Sequence, residues 1–86
     1  MNQKKCLSRL FGKALKEQIQ KGMDRAYIGG WAFSFHFRNI GQMNDALEDL
    51  VMTLATMELG EEFFFSYEKL DQIADELIAG KEVHLK

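Results

Sequence analysis

Cys6, His36 and His84 are the only soft metal ligands in the chain. No two of them stand at the short spacing with which one helix face or one loop holds a metal ion. Cys6 falls within an amphipathic pattern, where a cysteine serves as a small hydrophobe rather than as a nucleophile poised beside a base. Gly29–Gly30 lacks the strand-to-helix setting and the following Lys-Ser/Thr of a phosphate loop. Glu61 and Glu62 are adjacent carboxylates with acid–base potential, but such pairs are commonplace beside a turn. The expectation is a protein that is not an enzyme, with no catalytic, cofactor-binding or metal-binding residues.

Contact chemistry is better represented. Residues 26–38, AYIGGWAFSFHFR, hold five of the ten aromatic residues: Tyr27, Trp31, Phe33, Phe35 and Phe37. Read as a strand, Trp31, Phe33, Phe35 and Phe37 share a face. Read as a helix, Ile28, Trp31, Ala32 and Phe35 make one apolar stripe with Tyr27 beside it. Ala26, Gly30, Phe33 and Phe37 make a second, and Arg25, Gly29 and His36 lie on a narrow polar strip between them. Two stripes describe a central helix packed on both sides. Gly29 and Gly30 each cost a helix about 1 kcal/mol. Gly22 as a stop, Asp24 as an N-cap, and Asn39 with Gly41 beyond the far end favour the helix over residues 25–38.

The remaining elements follow from apolar spacing. Residues 4–21 form a first helix with Leu7, Leu10, Phe11, Ala14, Leu15 and Ile19 on its stripe and Lys5, Arg9, Lys13 and Lys16 away from it. Residues 45–59 form a third, capped by Asn44, with Leu47, Leu50, Val51, Leu54 and Ala55 inward, Met43 and Met57 at the margin, and Met52 and Leu59 outward. Residues 67–79 form a fourth, with Ser66 as N-cap, a staple from Phe65 to Leu70, Gly80 as the stop, and Lys81 placed to meet its negative end. The fold class expected is all-α, a compact bundle of four helices in a single domain, residues 1–86. The alternative is α+β, with a small sheet from residues 31–37, 62–65 and 82–85.

Charge is unevenly placed. Residues 1–25 carry seven Lys/Arg and two Asp/Glu, and residues 26–86 carry four and eleven. The basic first helix could attract nucleic acid or a membrane surface, which gives an adaptor as the alternative function. Leu70-Asp-Gln-Ile73-Ala74-Asp-Glu-Leu77 resembles the first helix of a helix-turn-helix over about eight residues. The acidic surroundings and the short remaining tail argue against nucleic acid as a partner. The single cysteine and the charged N-terminal region, with no continuous apolar run and no transmembrane segment, suggest a cytoplasmic protein.

The leading expectation is a small acidic protein that acts by protein–protein contact, with a basic protein as partner. Bacterial toxin-immunity proteins, antitoxins and anti-activators are similar in size and charge. Neutralisation of a basic bacterial toxin or effector is therefore the specific expectation. The site expected lies at the link 61–66 and the helix after it. An extended link turns Phe63 and Phe65 one way and Phe64 the other, so Phe64 faces out. Glu61, Glu62, Glu68, Asp71 and Asp75 form its acidic rim. A homodimer through Phe64 is the rival use of that patch.

Overall fold

Glycines and short polar residues set most of the helix ends. The computed structural model describes residues 3–85, with side chains from Leu7 onward. Four helices follow in order: α1 (Gln3–Gln20), α2 (Arg25–Arg38), α3 (Asp45–Ala55) and α4 (Tyr67–Ile78). Two 3₁₀ turns, Thr56–Leu59 and Glu61–Phe63, join α3 to α4. Gly22 (φ +71°) closes α1, with its N–H donating to the Ile19 carbonyl and the Met23 N–H to that of Gln18. Gly80 (φ +84°) closes α4 by the same pair of bonds, to Leu77 and from Lys81 to Glu76. Only glycine adopts this left-handed conformation without strain. The Asn44 and Ser66 side chains accept from the N–H groups of Leu47 (2.8 Å) and Lys69 (3.1 Å). Asp24 stands at the N-cap of α2 in extended backbone, but its side chain makes no capping bond.

The protein is a helical bundle, and no strand forms among the described residues. The α+β alternative fails segment by segment. Residues 31–37 are helical, 62–65 contain the end of a 3₁₀ turn, and 82–85 have no regular structure. The tail still closes the core, because Val83 is buried and Leu85 packs on the cluster.

The bundle is built from two helix pairs: α1 against α4, and α2 against α3 and the turn that follows it. Phe11 of α1 joins them. Its ring stacks on Trp31 at 5.0 Å and meets Phe35 edge-on at 4.9 Å, arrangements that favour aromatic pairs beyond their area burial. Leu15, Ile28, Leu54, Met57, Leu70 and Ile73 fill the remaining interior. Gly12 marks a close approach of α1 to α4. A Cβ there would lie 2.8 Å from the Leu77 Cβ and 3.0 Å from the Ala74 carbonyl.

Three details differ from the sequence reading. The third helix stops as an α-helix at Ala55 and tightens into a 3₁₀ turn, where the Thr56 hydroxyl donates to the Thr53 carbonyl. Leu10, placed on the α1 stripe by spacing, is more than half exposed, whereas Phe11 and Leu15 are fully buried and Leu7 and Ile19 pack against the core. At the negative end of α4 the Arg9 guanidinium also reaches Gly80, a cation that spacing did not place there. The basic helix thus meets the acidic one within the fold. Lys16 Nζ lies 2.7 Å from Asp71 and 2.8 Å from Asp75.

Candidate functional site

The two stripes of α2 have different fates. Ile28, Ala32 and Phe35 are buried, and Trp31 is half-buried against Phe11. The second stripe is not packed: Phe33 and Phe37 are 49% and 68% exposed, and Tyr27 beside them is 54% exposed. The expectation of a helix covered on both sides is corrected. The residues read as a polar strip turn inward and take up that second side. Gly29 is buried, and a Cβ on it would lie 2.5 Å from the Glu58 backbone nitrogen and 3.0 Å from the Met57 carbonyl carbon. The turn after α3 therefore lies directly on the helix backbone, where a side chain would keep it off. His36 Nε2 lies 3.2 Å from Glu48 Oε2 and ties α2 to α3. Arg25 reaches across to the link before α4.

With its polar strip engaged in this way, α2 presents an outer half made of Ala26, Tyr27, Gly30, Trp31, Phe33, Ser34, Phe37 and Arg38. These residues and Glu58 line an open groove of about 640 Å³. Arg38 is the one charged residue that α2 itself places there. Ile40, in the turn that follows, is 60% exposed. Solvated helix faces are ordinarily charged, and exposed apolar groups gathered on one face are a feature that interaction sites share. The arrangement can exclude water from a partner's apolar side chains and offers aromatic rings of the type that dominate interface energetics.

The link before α4 departs from the alternation expected of an extended segment. Residues 61–63 wind into a 3₁₀ turn, so the side chains no longer alternate. Phe63 is the exposed ring, at 42%, while Phe64 and Phe65 are half-buried against the core. The outward placement of Phe64 is corrected: its ring lies under the Arg25 guanidinium, 4.9 Å away, which also lies 5.0 Å from the Tyr67 ring. The same guanidinium donates to the Phe65 carbonyl at 3.4 Å, and the Tyr67 hydroxyl donates to the Met23 carbonyl. Of the acidic residues expected around Phe64, Asp71 and Asp75 share Lys16. Glu61, Glu62 and Glu68 are exposed and have no ion-pair partner among the described residues.

Among the described residues, no three His, Cys, Asp or Glu side chains are grouped as a metal ion would require. The Cys6 thiol and the Lys5 ammonium lie outside the described side chains. Among the described residues, no helix is long and apolar enough to cross a membrane. Comparison with protein-family models, with curated proteins and with solved structures finds no match to this chain.

Proposed function

We propose that the protein is a non-catalytic binding protein that acts by protein–protein contact, and that the outer half of α2 is its contact surface. The observation that carries this reading is the exposure of Tyr27, Phe33 and Phe37 on one helix face to which α2 itself contributes a single charge, Arg38. A domain of 86 residues has few large apolar side chains to spare from its core, and leaving three on one face weakens it unless a partner covers them. The test is a Phe33→Ser/Phe37→Ser double variant, checked for native helicity. It loses the protein that the wild-type chain captures, whether that is its own copy or another. Unchanged capture by a folded double variant removes α2 from the contact.

A second reading concerns the link. Glu61 and Glu62, next to Phe63 in the link, and Glu68 in the first turn of α4 have no ion-pair partner among the described residues, and this favours a basic protein as partner, with neutralisation of a basic bacterial toxin or effector as the specific role. Phe63 replaces Phe64 as its aromatic element. Glu61→Lys/Glu62→Lys weakens that capture, and added salt weakens it further in the wild type. An adaptor role for α1 has less support. Its Phe11 and Leu15 are core residues, and its Lys16 is held by two aspartates.

A further inference from the structure

The outer face of α2 has the geometry of a ridge beside a groove. In an α-helix, residues four apart form oblique rows. Ala26, Gly30 and Ser34 make a row of small residues ending at Arg38. Tyr27 and Trp31 form the row on one side of it, and Phe33 and Phe37 the row on the other. Such a row lets a second helix with the same row approach closely, with the aromatic rows flanking the contact.

Its charges are matched in the same way. The Glu58 carboxylate lies against Gly30, with Oε1 3.3 Å from where a Cβ would stand. Arg38 lies two turns further along, about 12 Å at the rise of a helix. Neither has an ion-pair partner among the described residues. Ser34 lies midway between Gly30 and Arg38. A two-fold axis through Ser34, with the two helices antiparallel, brings Arg38 of each copy to the Glu58 carboxylate of the other. The same operation sets the row of small residues against its own copy, where the helices can approach closely, and brings the Phe33 and Phe37 rings of the two copies together. A row of small residues that can lie on its own copy, with charges that match across the axis, is the property of an isologous dimer.

We propose that the α2 face is a homodimer interface, with the Ser34 row at its two-fold axis and paired Arg38–Glu58 contacts at its rim. This rests on the reading of α2 as the contact surface, and names a second copy of the chain as the occupant. The three exposed rings can each bury about 150–250 Å² and are already partly covered, so they provide a fraction of the roughly 800 Å² per partner of a standard interface. The expected dissociation constant is accordingly in the micromolar range.

The test is analytical sedimentation of the full chain from low micromolar to about 1 mM, a range that spans the expected dissociation constant. The wild type should show a monomer–dimer equilibrium. Phe37→Ser should be monomeric with unchanged helicity. Arg38→Glu should weaken the dimer about tenfold or more, and adding Glu58→Arg should restore it, because the swap re-forms the pair across the axis. A dimer indifferent to Phe37→Ser, or a charge swap that restores nothing, would overturn the proposed interface. A wild type that stays monomeric throughout would also overturn it. If the Phe33→Ser/Phe37→Ser variant then loses capture of a different protein, the contact reading of α2 stands without the dimer. If capture is unchanged, both fall together.

Discussion

The guanidinium of Arg25 lies 4.9 Å from the centre of the Phe64 ring, over the aromatic of the link that the 3₁₀ turn directs toward the bundle. Phe64 packs against the core, and Phe63 is exposed. The guanidinium also joins the first turn of α2 to the residues that lead into α4, with the Phe65 carbonyl as a further acceptor.

Arg25→Ala should therefore destabilise the fold by about 1–2 kcal/mol, through loss of a cation–π contact and a charged hydrogen bond. Arg25→Lys should recover only part of this, because an ammonium lacks the planar fork that spans two rings and a carbonyl. Phe64→Ala should also destabilise, and Phe63→Ser should not. Urea midpoints check the series. Equal midpoints for Phe63→Ser and Phe64→Ala would contradict the placement of these rings.

The two adjacent glycines of α2 should behave oppositely. Gly29→Ala meets the backbone of the turn after α3 at 2.5 Å, and a backbone cannot step aside cheaply. A cost of about 1–3 kcal/mol is expected, typical of overpacking. Gly30→Ala meets only the end of the Glu58 side chain at 3.3 Å, which can move. That substitution should be neutral or stabilising by up to about 1 kcal/mol, the helix-propensity gain over glycine. Thermal melts of the two variants should shift in different directions.

Much of this was legible in the sequence. Ser66, Asn44, Gly22 and Gly80 announce helix ends because their effect is local: a side-chain acceptor or a left-handed residue acts on the backbone within five positions. The core stripe of α3 was legible for the same reason, since its spacing repeats within one element. Gly29 was not. Its role depends on Met57 and Glu58, nearly thirty residues away, and in sequence it is indistinguishable from a helix defect. That contact fixes which way α2 is rotated, so the division of its two stripes into a packed one and a free one was hidden as well. The link failed for a different reason. Alternation holds for extended backbone, and a 3₁₀ turn at residues 61–63 exchanged the places of Phe63 and Phe64.

The pairing of α1 with α4 should be visible in alkali. Hydrogen bonds donated by its ammonium to Asp71 and then Asp75 raise the Lys16 pKa above its ordinary 10.5. A group whose folded pKa is raised contributes stability that is fully present below the unfolded value and is lost as pH rises through the folded value. The contribution is thus intact at neutral pH and disappears above about pH 10.5. In Lys16→Met the melting temperature should fall less steeply over that alkaline range than in the wild type. The difference between the two at pH 7 should shrink in high salt. Parallel alkaline slopes would mean that the lysine does not hold the two helices together.

The most direct measurement of contact through α2 is photo-crosslinking from position 37 in native cells. A photoreactive phenylalanine analogue at Phe37 should give a covalent protein adduct, to a second copy or to another protein. The same group at exposed Gln20 on α1 should give none. Equal, background-level labelling from both positions would contradict the assignment of the α2 outer face as the surface through which this protein acts.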